Sequence, residues 1–234
     1  MTLLQRCTAL GFAALLAVGA WSADAQLLQP PAARPDALVS AFTSEVSAML
    51  RQDLAAGRPS NVAQLGDMAL PLFDFHRMTG IALARNWRLA SPEQQEALVT
   101  QFTTLLVRSY SGALAGYRGL EFQYRPLRVA AGENAVLVRS FQRRPGTEAL
   151  TLDYDMEDGA GGWKVFDIKV AGVSLVMSYR ESFAAVIRSR GIDGLIESIS
   201  DNNRHNAAGA QAPQAASLAT VLMIYFSAAR AQKD

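Results

Sequence analysis

Asp167, in the run WKVFDIKV, and Tyr154, in LTLDYDME, are polar side chains set inside strand-like apolar stretches. An aspartate base beside a tyrosine donor can move a proton next to a carbonyl, so the pair is one candidate for catalysis. The plainer role for Asp167 is an ion pair, and Lys164 and Arg180 are near enough in sequence to supply the cation. Asp153 and Asp155, with Glu157 and Asp158 nearby, make one side of the Tyr154 run acidic. That side lacks the glycine-centred loop of a calcium site. His76 has one fellow histidine, His205, in a polar stretch far along the chain, so no histidine metal cluster is expected. The sequence carries no phosphate-binding glycine loop, nucleophile elbow or zinc-helix motif. Its only cysteine, Cys7, precedes the expected folded domain, which leaves that domain without thiolate chemistry. No metal and no cofactor is expected.

The elements that position these residues follow from periodicity. Residues 1–25 read as a signal peptide, with Arg6 ahead of the apolar run Ala9 to Ala20 and Ala23-Asp24-Ala25 offering small residues for cleavage. Residues 26–35 are a Pro/Ala-rich flexible leader, 36–202 the folded domain and 203–234 a flexible tail. The tail contains a short apolar run, Leu218 to Phe226, too short to span a bilayer. Basic and acidic residues number 22 and 21, so no global field points to nucleic acid.

Leu38, Phe42, Val46, Met49, Leu50 and Leu54 recur at helical spacing and predict a first helix, ended by Gly57-Arg58-Pro59. A second is expected over Val62 to Leu70, and a third from Phe73 through Trp87. Ser91-Pro92-Glu93-Gln94 combines an N-cap serine, proline at the first helical position and a glutamine to close a capping box. The long helix it opens is expected to stop at Gly119. From Leu120 the period becomes two, and strands are predicted over Glu121 to Val129, Asn134 to Phe141, Glu148 to Glu157 and about Trp163 to Val170. Helices before and after a run of about four hairpin-linked strands imply an α+β fold with a curved antiparallel sheet. Apolar residues at both parities of the last strand suggest a second apolar volume behind the sheet. Gly172 is expected to turn that strand into the final helix.

Phe73-Asp74-Phe75, Trp87 followed by Ala90-Ser91-Pro92-Glu93-Gln94, and Phe102 through Leu106-Val107 to Tyr110 form the first part of a family pattern. Trp163-Lys164-Val165, Asp167, Gly172-Val173-Ser174-Leu175, Tyr179-Arg180 and Phe183 complete it. Together they resemble the MlaC family, also called the toluene-tolerance auxiliary proteins. The likeness covers about Asp36 to Ile199. It departs at Ala84, where the family commonly has glycine before Arg85, and in the tail after Ser200. The resemblance implies a nuclear-transport-factor-like α+β domain with a helical subdomain. It also implies a periplasmic shuttle, not an enzyme, that carries phospholipid between an outer-membrane lipoprotein complex and an inner-membrane ABC transporter complex. A hopanoid-associated branch leaves phospholipid and hopanoid both open as cargo.

An acyl chain in water costs about 0.8 kcal/mol per methylene, so such a carrier needs a deep, dry cavity. The candidate lining is Phe75, Met78, Leu106, Tyr110, Leu152, Tyr154, Val165, Val173, Leu175, Val176 and Tyr179. Arg180 and Lys164 are the candidate headgroup contacts, with a carboxylate such as Asp167 or Asp74 as the alternative partner of Arg180.

Overall fold

Among the described residues four helices come first, a sheet follows and a long helix comes last. This computed structural model describes residues 34–58, 61–115, 121–143 and 149–207, without the side chains of 54, 62, 110–115, 121, 143, 206 and 207. The expected signal peptide, most of the leader, Gly119 and the apolar run Leu218 to Phe226 lie outside the described residues. Among the described residues no helix is long and apolar enough to cross a membrane.

The N-terminal half comprises α1 (Pro35–Ala55), α2 (Val62–Ala69), α3 (Phe75–Leu83) and α4 (Pro92–Ala115), with a 3-10 turn, Ala84–Leu89, between the last two. Each of the later starts is capped by its own side chain. Asn61 accepts from the Gln64 amide at 3.2 Å and Asp74 from the Arg77 amide at 2.8 Å. At α4 the Gln94 amide donates to Ser91 Oγ at 3.2 Å, and the Ser91 amide donates back to Gln94 Oε1 at 3.0 Å, the capping box legible in the sequence. The third segment does not run unbroken to Trp87 as expected. It ends at Leu83 because Ala84 takes φ 51°, ψ −124°, which no helix accommodates.

Strands β1 (Glu121–Tyr124), β2 (Ala135–Arg143), β3 (Leu150–Gly159), β4 (Gly162–Val170) and β5 (Val173–Ser174) pair in chain order, all antiparallel. The fold is α+β, as expected. β1 is shorter than predicted, and β5 adds a two-residue fifth strand. Ala171 (φ 49°) and Gly172 (φ 83°) form the two-residue turn that joins β4 to β5. Gly172 therefore closes a hairpin and does not lead into the helix. The chain reaches α5 (Arg180–Ala207) through a second 3-10 turn, Met177–Tyr179, and the break in α5 falls at Gly191 (φ 73°, ψ −176°). α5 also runs beyond residue 202, where the tail was expected to begin, and the Asn203 side-chain amide donates to the Gln101 carbonyl of α4 at 2.9 Å.

The mixed parity of β4 has a local cause. Asp155 pairs with Asp167 but Met156 pairs with Val165, so Phe166 is an extra residue in a β-bulge. Ahead of the bulge Trp163 and Val165 face the helices; beyond it Ile168 and Val170 do, because the parity has switched. The second apolar volume predicted behind the sheet is accordingly absent from this part of it. The outer face carries ion pairs, Arg139 with Asp153 (2.8 Å) and Lys169 with Asp155 (2.6 Å). The free edge of β4 is partly covered by the segment before α3. There the Asp74 amide donates to the Val165 carbonyl (2.8 Å) and the Val165 amide to the Leu72 carbonyl (2.9 Å).

Candidate functional site

The inner face of the sheet meets the helices in two apolar clusters. Phe75, Met78, Leu106, Leu175, Val176 and Tyr179 fall in the first, with Phe102 of α4 and Phe183 of α5. Their rings interlock edge to face: the Phe102 centroid lies 5.0 Å from Tyr179 and 5.2 Å from Phe183. Tyr154 and Val165 belong to the second cluster, with Val39, Val138, Met156 and Trp163. Leu152 touches both, and Val173 borders the first. Tyr110 lies in α4, and its side chain is outside the described residues. The sequence-predicted lining residues with described side chains thus fall in these two clusters or on their borders.

Within these clusters burial is uneven. Met78, Val165 and Val176 are sealed, at 1%, 0% and 0% exposure. Phe42, Phe73, Leu152 and Ile168 touch both clusters yet remain only half-buried. Leu152 and Ile168 sit on the inner face of the central strands, so the helices leave that part of the sheet incompletely covered. Phe42, Phe73 and Ile168 were not among the lining residues expected from the sequence. Ile168 was obscured by the bulge, and Phe73 has no periodic signal because it lies in a connection.

A cavity of about 490 Å³ opens where the β3–β4 hairpin meets the start of α3. Phe73, Phe75 and Phe166 supply its aromatic wall, and Asp74, His76, Arg77, Glu157 and Lys164 its polar one. Arg77 pairs with Glu157, and its guanidinium lies 3.8 Å from the centroid of the Phe166 ring. Lys164 Nζ donates to the Pro71 carbonyl at 2.5 Å, so this predicted headgroup contact does reach a cavity. The other does not. Arg180 Nη2 donates to the Ile81 carbonyl at 2.9 Å, and Arg180 forms no ion pair with Asp167 or Asp74. Arg77 and Glu157 were missed because only the bulge and the Asp74 cap bring them together.

The proton-transfer pair considered from sequence does not assemble. Tyr154 pairs with Ile168 on the inner face, whereas Asp167 pairs with Asp155 on the outer one. Burial, reinforced by neighbouring Tyr124 and opposed by Ser140, pushes the Tyr154 phenol far up, so it stays neutral. Burial also raises Asp167, against hydrogen bonds from Ser174 Oγ (2.5 Å) and the Val176 amide (3.2 Å), while Asp155 raises it further. Asp167 therefore ties β4 to the approach of α5, and neither Lys164 nor Arg180 is its partner. Asp153 and Asp155, on the acidic side of β3, are occupied by Arg139 and Lys169.

Residues 40–201 match the family described as MlaC protein. This chain belongs to the MlaC family. Among relatives, the intermembrane phospholipid transport system binding protein MlaC of Haemophilus influenzae is 25% identical over 130 residues, 54% of this chain and 61% of that one. The toluene tolerance protein ttg2D of Pseudomonas putida is 26% identical over 106 residues, 45% of this chain and 49% of its own. The matches thus span about half to three fifths of these curated relatives. A solved structure, the phospholipid-binding protein from Ralstonia solanacearum in complex with a phospholipid, is 39% identical with a TM-score of 0.67. That likeness covers 75% of this chain and 99% of the other.

Proposed function

We propose that this chain is a periplasmic carrier that holds the acyl chains of a phospholipid between its sheet and helices. In this reading it carries lipid between an inner-membrane transporter complex and an outer-membrane lipoprotein complex. The likeness to the Ralstonia protein, spanning nearly the whole of that lipid-bound chain, is the observation that carries the reading. The half-buried inner-face residues Leu152 and Ile168, beside Phe42 and Phe73, support it, because a tail needs apolar wall that protein has not already filled. Such a wall recognises hydrocarbon and little else, which agrees with the absence of a chemical motif from the sequence. Residues 1–25 then serve for export, 36–207 form the lipid-binding domain and Lys164 stands near the headgroup.

The test is to express the chain in a Gram-negative periplasm, purify it without detergent, and identify bound molecules by native and denaturing mass spectrometry. Near-stoichiometric phospholipid is the expected result. A hopanoid in its place would redirect the cargo assignment. A folded protein that is empty, and that takes up no lipid from vesicles, would sink the carrier reading.

A further inference from the structure

The 490 Å³ cavity at the start of α3 has a charge pattern that a generic greasy site would not need. Arg77 and Lys164 face two carboxylates, Asp74 and Glu157, around an aromatic wall. Glu157 and Lys164 are cross-strand partners, which places their charges side by side. The Arg77–Glu157 pair is open to solvent, with side chains 35% and 40% exposed, so a ligand can insert between the partners at little cost. Asp74 uses one carboxylate oxygen to cap α3 and has the second to spare. The hairpin Gly159-Ala160-Gly161-Gly162 puts small residues along the cavity.

Two cations and two carboxylates within one cavity match a ligand that itself carries both signs. We propose that this cavity selects a zwitterionic phosphoester headgroup, of the ethanolamine type, over a purely anionic one. The phosphate takes Arg77 and Lys164, and the ammonium takes Glu157 with Asp74. Phe73 and Phe75 line the cavity and also pack into the apolar interior, which puts the cavity next to the region proposed to hold the tails. The inference rests on the carrier reading and adds headgroup preference to it. An anionic phosphatidylglycerol keeps the phosphate contacts but leaves Glu157 and Asp74 facing a neutral glycerol.

The test offers delipidated protein vesicles of equimolar phosphatidylethanolamine and phosphatidylglycerol and reads the bound lipids by mass spectrometry. The expected wild-type preference for ethanolamine is about tenfold, the size of one charge-assisted hydrogen bond. Glu157→Gln combined with Asp74→Asn keeps the α3 cap, since asparagine caps as well as aspartate, and should bring the two lipids to parity or favour glycerol. Arg77→Gln should weaken uptake of both lipids alike. Circular dichroism melts confirm that each variant is folded. Soluble phosphoethanolamine, titrated by calorimetry, separates a lipid headgroup from a free metabolite. Binding of that small molecule by a chain that takes up neither lipid would overturn both the headgroup assignment and the carrier reading. Wild-type lipids bound in vesicle proportion, or a preference unmoved in the double variant, would overturn the headgroup inference while leaving the carrier reading intact.

Discussion

Ala84 holds a backbone conformation that glycine adopts freely and alanine does not. Its φ of 51° lies where an L side chain crowds the following carbonyl, so glycine at this position relieves strain. Ala84→Gly should raise stability by about 1 kcal/mol in urea melts; a decrease would mean that the turn holds its shape for another reason. Asp167 makes a second prediction at this scale. Removing its carboxylate as Asp167→Ala leaves Ser174 Oγ and the Val176 amide without their acceptor and should destabilise the protein by about 1–3 kcal/mol. The pH dependence has a definite sign. Because burial raises the folded-state pKa of Asp167, the native chain binds its proton more tightly than the unfolded chain. The resulting stabilisation is full below the ordinary carboxylate range and is lost as pH rises through the raised value. The melting temperature of the wild type relative to Asp167→Asn should therefore fall as pH rises above the ordinary carboxylate range; a gap that widens with pH would contradict this.

Among the elements, α4 is set by its start and by its packing on α5. Ser91→Ala removes the side-chain half of the capping box and should cost about 1 kcal/mol, read as a lower thermal midpoint. Phe102, 1% exposed, anchors the same helix against Tyr179 and Phe183. Its replacement by alanine should cost about 3–5 kcal/mol, by lost burial and a cavity that the two neighbouring rings cannot fill. A loss under about 1 kcal/mol would show that α5 collapses onto α4 readily. Such mobility has a ready location, since α5 is interrupted at Gly191, where the backbone leaves the helical region.

For the whole molecule, the decisive feature is the unequal cover of the sheet. One face meets helices through two apolar clusters, and the other carries paired charges. Leu152 lies where the clusters join and is half-buried. In the carrier reading Leu152→Trp fills space that an acyl chain uses, so uptake of labelled phospholipid from vesicles should fall several-fold while the circular dichroism spectrum persists. Unchanged uptake would remove Leu152 from the lining.

Most helix and strand identities, the capping box at Ser91, the α+β class and the family were legible in the sequence, because periodicity, capping and motif order are local properties of the chain. Most of the expected lining residues were legible as apolar positions too, yet their division into sealed core and half-covered wall was not. That division depends on how far each helix stands from the sheet. The bulge at Phe166 was equally invisible, because an extra residue shows itself only against a paired strand. It reversed the reading of β4: the apolar residues on both sides of it face the helices, and Asp167 is separated from Tyr154. The cavity of Arg77, Lys164, Asp74 and Glu157 was decided by tertiary structure alone, since its charges come from a helix start and a hairpin some eighty residues apart that meet only when β4 and the segment before α3 share backbone hydrogen bonds.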